Sequence, residues 1–153
     1  MKKKMPHEAV ISKIKVDLSR LGYKVNEVHE PYNEDAHAKT PETSAFFHYL
    51  LVDLVGYKTV RIRASYKCVD VDEGDYSCDT LDEISIGVLE QTFSDEEVVI
   101  LERARKRADL FKEKHRSLID AVKSAGLKVS LNFSSDVINV RGQHTAGSTR
   151  CEI

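Results

Sequence analysis

The chain has 153 residues, of which 41% are hydrophobic and 31% are charged, and its formal net charge is −2. This length suits one domain with a single core, and the near-zero net charge excludes a general polyanion binder. No apolar run approaches the roughly 18 residues of a membrane helix, and no apolar stretch follows the initial lysines as it would in a signal peptide. We therefore expect a soluble, cytoplasmic protein.

The N-terminal segment has the pattern of an amphipathic helix over about residues 6–21. Pro6 suits a first helical turn, and apolar residues recur after it at near-helical spacing. Gly22 is typical of the position just after a helix end. Residues 23–28 then alternate between apolar and polar, which predicts a strand.

Four later segments have the apolar and β-branched content of strands: 46–55, 58–71, 76–80 and 83–93. The first two form a predicted hairpin about Gly56, and residues 72–75 form a further turn. Near the C-terminus, 127–133 and 136–142 are predicted to pair through a turn at Ser134 and Ser135. Residues 1–142 then form a single domain, and 143–153 follow as a flexible polar tail.

A long amphipathic helix is predicted over residues 95–125, from a capping box at Ser94 and Glu97 to Gly126. Its apolar residues recur in steps of three and four, as in a heptad seam: Leu101, Ala104, Ala108, Phe111, His115, Leu118, Val122 and Ala125. The seam suits either a helix laid across a sheet or a coiled coil with another chain, which would make a homo-oligomer. Together the elements predict an α+β fold, in which this helix and the N-terminal one pack on a mostly antiparallel sheet.

The charges are segregated along the chain. Between Lys67 and Arg103 there is no basic residue, and the acidic hairpin within this stretch carries Asp70, Asp72, Glu73, Asp75 and Asp79. Residues 103–116 are in contrast strongly basic, and beside the seam they place Arg105, Arg107, Lys112 and Lys114. These four cations would repel one another in a parallel self-pair, so they favour an acidic neighbour in this chain or another. Charge runs of this kind are most often solvated faces, and binding surfaces are the alternative.

A second basic group lies in the sequence TVRIRASYKC, residues 59–68. Strand alternation turns the apolar residues Val60, Ile62, Ala64 and Tyr66 toward the core and places Arg61, Arg63 and Lys67 together on the opposite face. This basic face is interpreted either as a solvated side of the sheet or as a binding surface for phosphates or acidic side chains.

Motifs for several kinds of chemistry are missing from the sequence. It has no glycine-rich phosphate loop and no nucleophile elbow, so no catalytic residue is predicted. The cysteines, Cys68, Cys78 and Cys151, are odd in number and lack zinc spacing, so we expect reduced thiols, no metal and no cofactor. Potential metal ligands gather at 29–37 without a recognised spacing: His29, Glu30, Glu34, Asp35 and His37. A solvated loop is the interpretation there.

The order of elements over residues 6–133, with LGYKV after the first helix and AGLKV after the long one, resembles the core of the PD-(D/E)XK nucleases. That resemblance implies an acid on the second strand and a Glu-x-Lys on the third, with Mg²⁺ held by the acids. In one alignment His48, Arg63 and Ser65 stand at those positions, and in another Lys67 is retained. Asp53 and Glu8 are the remaining candidate acids. Both alignments lack the second carboxylate, so the resemblance implies a degenerate core.

The sequence therefore favours a non-catalytic binding protein with separate acidic (70–102) and basic (61–67 and 103–116) surfaces. Few aromatic residues are present for base stacking, so a protein partner is preferred to a nucleic acid. A nucleic-acid-binding protein or a metal-dependent nuclease with the degenerate core is the alternative. No membrane partner is expected.

Overall fold

The computed structural model describes residues 6–29, 48–72, 75–93, 100–139 and 141–153. The fold is α+β, as the sequence predicts. The elements in chain order are α1 (Pro6–Arg20), β1 (Lys24–His29), β2 (His48–Asp53), β3 (Thr59–Asp72), β4 (Asp75–Phe93), α2 (Ile100–Lys114), α3 (Arg116–Lys123), β5 (Lys128–Ile138) and β6 (His144–Glu152). No helix in these ranges is both long and apolar enough to cross a membrane.

The strands form one six-stranded sheet in the order β1-β2-β3-β4-β5-β6. Each neighbouring pair is antiparallel except β4 and β5, which run parallel. A parallel pair needs a crossover connection, and α2 and α3 lie in the chain between its two strands.

All three helices pack on one face of the sheet. Their apolar residues, among them Ile14, Phe111 and Leu118, belong to a single buried cluster with alternate residues of the strands. The central strands contribute Val60, Ile62, Ala64, Ile84, Ile86, Val88, Val129, Leu131 and Phe133. Because side chains of a strand alternate between faces, the residues between these lie on the second face, which we call the open face.

Local turn signals in the sequence are confirmed at three glycines. Gly22, Gly56 and Gly126 have φ angles of 95°, 94° and 81°, respectively. These values lie in the left-handed region that glycine enters without a steric penalty. The ends of α1 and α3 and the β2–β3 hairpin therefore fall where the sequence places them.

Three predictions about the strands are wrong. Segments 76–80 and 83–93 form one continuous strand, β4, whose pairing with β3 shifts register near Ser65 and Tyr66. The turn at Ser134 and Ser135 does not exist, because both residues lie inside β5 and pair with β4 and β6. Residues 144–152 of the supposed flexible tail form β6, which pairs with β5 along nearly its whole length.

The segment predicted as one long helix contains two helices, which meet at His115. The backbone hydrogen bonds continue across the junction, from His115 N to Phe111 O at 2.9 Å and from Ile119 N to His115 O at 3.2 Å. The predicted start, with Ser94 and Glu97, lies outside the described residues. The seam side chains Ala108, Phe111, Leu118 and Val122 are buried in the core, so the seam packs on this chain's own sheet.

The hairpin of β3 and β4 is longer than its neighbours. β5 pairs with β4 from Glu83 onward, and β2 pairs with β3 at Arg61 and Ile62. Within the described ranges, residues 66–72 and 75–81 therefore pair only with each other. We call this two-stranded extension the ribbon.

Candidate functional site

The open face carries the basic group predicted on β3. Arg61 lies between Leu51 of β2 and Gly87 of β4 in the strand register. Its guanidinium carbon is 5.4 Å from the centre of the Tyr49 ring, which is a cation–π arrangement. Arg63 lies on the same face, about 7 Å further along the strand. Lys67 continues the row and is exposed.

The positive charge of Arg61 acts on Arg63. Partial burial, followed by the neighbouring positive charge of Arg61, lowers the pKa of the Arg63 guanidinium. Two cations on neighbouring positions of one strand face repel each other. Among the described side chains Arg61 forms no ion pair. Because Arg61 is also exposed, its guanidinium is accessible to a carboxylate or phosphate of another molecule.

Gly87 leaves a depression beside Arg61. In the register it lies between Arg61 of β3 and Asn132 of β5. A Cβ added at Gly87 would have one neighbour within 4 Å, the Arg61 carbonyl oxygen at 3.9 Å, so the described atoms leave room there for a small group. A partner side chain could thus reach the sheet backbone between Arg61 and Asn132.

Charges at the β4–β6 side of the open face are paired within the chain. Ser130 Oγ donates a hydrogen bond to Glu83, whose two carboxylate oxygens also accept from Arg150 Nη2 at 3.0 and 3.3 Å. Beside them, Lys128 Nζ lies 2.8 Å from Glu152 Oε1. This network satisfies its own charges.

The basic residues that the sequence places on the long helix lie on α2, on the other side of the sheet. Arg107 donates three hydrogen bonds of 2.8–3.0 Å to the carboxylate of Glu90, which is 1% exposed. This hydrogen bonding raises the pKa of Arg107. Arg107 therefore anchors α2 to β4, and Glu90 is the acidic neighbour that the charge pattern led us to expect.

Of the other predicted cations on α2, one forms an ion pair within the helix and two are exposed to solvent. Lys112 Nζ is 3.1 Å from Asp109 Oδ1, and hydrogen bonding to Asp109 raises the pKa of Lys112. Arg105 and Lys114 are exposed. The structure thus separates the two basic groups. The cations of β3 lie on the open face and those of α2 on the opposite side of the sheet, so they do not form one surface.

The acidic hairpin coincides with the ribbon. The backbone of Asp70, Asp75 and Asp79 lies in its two strands, and the side chain of Asp72 is exposed. Glu73 and the side chains of the other three lie outside the described residues. The side chains of Cys68 and Cys78 also lie outside them, while Cys151 is a free, half-buried thiol.

The residues considered for a nuclease centre are not brought together. Asp53 ends β2 on the open face. Continuing the pairing of Leu51 with Arg61 by two residues brings Asp53 level with Thr59, and Lys67 is about 27 Å further along β3. His48 lies on the opposite face, where its Nε2 is 2.7 Å from Glu27 Oε1. In the described part of the chain, no three His, Cys, Asp or Glu side chains could hold an ion together.

Sequence reasoning missed a cluster of histidines under α1. His7 is fully buried and its Nδ1 lies 3.1 Å from the Tyr66 hydroxyl oxygen, while His48 is 2% exposed. Burial, followed by the charge of His48, lowers the pKa of His7. Forty-one positions separate the two residues in the sequence, so spacing offers no signal for their meeting.

Comparison with protein-family models gives no match, and comparisons with curated proteins and with solved structures give none either. Any assignment of function must therefore come from the geometry of this chain.

Proposed function

We propose that the protein is a non-catalytic binding protein whose open face, around Arg61 and Arg63, binds an acidic surface of a partner protein. The observation that carries this proposal is the exposed guanidinium of Arg61, which forms no ion pair among the described side chains and lies beside Arg63 and the space over Gly87. A carboxylate brought by the partner can accept two parallel hydrogen bonds from the Arg61 guanidinium.

The composition of the open face favours a protein over a nucleic acid. The cations on β3 are accompanied by the half-buried apolar residues Leu51 and Leu89 and by the internally paired Glu83 network. Mixed apolar, aromatic and arginine surfaces are characteristic of protein interfaces. A nucleic-acid surface would present a longer run of cations and more aromatic rings for stacking bases.

The ribbon supplies a second, acidic surface in this proposal. Its acids would bind a basic region of the same partner or of another one, in keeping with the segregation of charge along the chain. A cytoplasmic location also belongs to the proposal, and the odd number of cysteines supports a reducing compartment.

A binding experiment with matched charge changes tests the proposal. The immobilised protein would capture partners from a cell extract, and the affinity of a purified candidate would then be measured by calorimetry. We expect the double variant Arg61→Gln/Arg63→Gln to bind at least tenfold more weakly, a loss of about 1.4 kcal/mol. Gly87→Leu, which fills the depression without entering the core, should weaken binding in the same way.

The control is Arg105→Gln/Lys114→Gln, which removes the same charge from the exposed side of α2 and should leave the affinity unchanged. A loss of binding in this control, with none in the open-face variants, would refute the proposal. Titrations with single-stranded DNA, duplex DNA and RNA test the other partner class. Binding there that falls by roughly 0.9 log units per phosphate contact for each log unit of salt would identify a nucleic-acid-binding protein instead.

A further inference from the structure

Two buried imidazole rings meet beneath α1. His7 in the first turn of α1 is 0% exposed, and His48 at the start of β2 is 2% exposed. Their ring centres are 5.4 Å apart, with an angle of 72° between the ring planes. The pair lies on the helix-covered face of the sheet, so it is independent of the open face.

Each ring has one nitrogen bound and one without a partner. His7 Nδ1 is within 3.1 Å of the Tyr66 hydroxyl, and His48 Nε2 is within 2.7 Å of the Glu27 carboxylate. The opposite nitrogens, His7 Nε2 and His48 Nδ1, are buried without a hydrogen-bond partner among the described atoms. Because a carboxylate only accepts, His48 Nε2 carries the proton of its bond to Glu27, and a metal ion would bind Nδ1 of the neutral ring.

This arrangement has the features of a histidine metal site. Histidines that bind metals usually donate their other ring nitrogen to a carboxylate, carbonyl or similar acceptor, which fixes the tautomer and the ring orientation. Glu27 holds His48 in this way, and the Tyr66 hydroxyl holds His7.

The separation of the rings fits a shared ion. A Zn²⁺–imidazole bond is about 2.0–2.1 Å long, so two rings on one tetrahedral ion have centres roughly 5 Å apart. The observed 5.4 Å between His7 and His48 is close to this value. Two buried nitrogens left without partners cost free energy, and coordination to an ion would offset that cost.

We propose that His7 and His48 form a binding site for a divalent transition ion of the class that prefers imidazole, such as Zn²⁺ or Co²⁺. The His29 ring centre is 4.4 Å from that of His48, yet no three His, Cys, Asp or Glu side chains of the described residues are placed to hold an ion together. The remaining coordination positions therefore belong to water or to an exchangeable small ligand. The ion would join the first turn of α1 to the start of β2.

Titration of the metal-free protein with Co²⁺ tests this proposal, with visible absorption reporting coordination and Zn²⁺ as the competitor. We expect saturable binding that His7→Gln and His48→Gln abolish. Glu27→Gln should weaken it by about 10–100-fold, the usual effect of removing the acceptor behind a ligating histidine. His144→Gln is the control, because His144 is an exposed histidine beside Asp136 and should not matter.

A second measurement uses the chain without substitutions, so its result does not depend on whether the variants fold. Paramagnetic Co²⁺ should broaden the NMR signals of the His7 and His48 rings at concentrations that leave the His144 ring unchanged. No uptake of either ion, or uptake that persists in both His7→Gln and His48→Gln, would overturn the proposal.

Discussion

The ion pair between buried Glu90 and Arg107, whose side chain is 38% exposed, provides the sharpest test of how α2 is held on the sheet. Arg107→Met removes the cation and leaves the Glu90 carboxylate, which is 1% exposed, without its main partner. Removing one member of a buried ion pair usually costs about 3–5 kcal/mol. Arg103 Nη2, 3.8 Å from Glu90 Oε1, offers partial compensation, so we expect the lower end, about 3 kcal/mol.

Urea unfolding followed by circular dichroism measures this loss, and thermal melting gives an independent value. For a chain of this size, 3 kcal/mol corresponds to a decrease in Tm of about 6–12 °C. The control is Arg105→Met, the same substitution on an exposed side chain of α2, which should change the free energy of unfolding by less than about 0.5 kcal/mol.

A double variant separates the ion pair from its parts. Glu90→Leu/Arg107→Met replaces both charges with apolar groups of similar size, which removes the uncompensated carboxylate and should recover most of the stability. Two results would contradict a role of Arg107 in holding α2 on the sheet. In one, Arg107→Met loses no more stability than Arg105→Met. In the other, the double variant loses as much stability as the single variants Glu90→Leu and Arg107→Met lose together.

Three further changes test other parts of the structure. Burial lowers the pKa of His115 from its ordinary value of 6.5, so the unfolded chain binds more protons and the free energy of unfolding should fall as the pH drops below about 6.5; urea midpoints in His115→Gln should lack this part of the pH dependence, and an unchanged pH profile would contradict the assignment. Deletion of 143–153 removes β6 and uncovers the edge of β5, so we expect aggregation in size-exclusion chromatography, whereas a deletion that leaves a monomer of equal Tm would show that β6 is dispensable. Gly126→Ala, at φ 81°, should cost about 1–2 kcal/mol in urea unfolding, while Gly87→Ala on β4 should cost none, and equal effects would refute the role of backbone conformation.

Much of the fold follows from local sequence signals. The glycines that end α1 and α3 and the turn at Gly56 act through their own backbone conformations, so they can be recognised one position at a time. Alternation in TVRIRASYKC also correctly places Arg61 and Arg63 together, because strand geometry alone decides which side chains share a face.

The errors arise where distant parts of the chain decide the structure. Ser135 resembles a turn residue, yet it is buried in β5 between two partner strands, and its hydroxyl accepts a hydrogen bond from Arg103 of α2. The positions of β6 on the helix side are Thr145, Gly147, Thr149 and Cys151, which show no apolar alternation. The pairing of β6 with β5 stabilises it, and local composition does not reveal this pairing.

The candidate sites also differ in whether local sequence predicts them. The open face could be predicted because its cations lie on one strand. The Glu90–Arg107 contact joins residues of separate elements, and the meeting of His7 and His48 depends on α1 lying across the start of β2. Neither contact follows a fixed sequence spacing, so no sequence motif predicts it.

The ribbon has a consequence for colloidal behaviour. In the described ranges its two strands pair only with each other, so both outer edges carry backbone groups that another chain could use for pairing. Residues 66–81 contain several acids and a single lysine, Lys67, and two copies aligned edge to edge would repel each other strongly at low ionic strength. We expect this repulsion to keep an exposed β-hairpin from seeding aggregates, and high salt or a pH near that of carboxylate protonation to remove the protection.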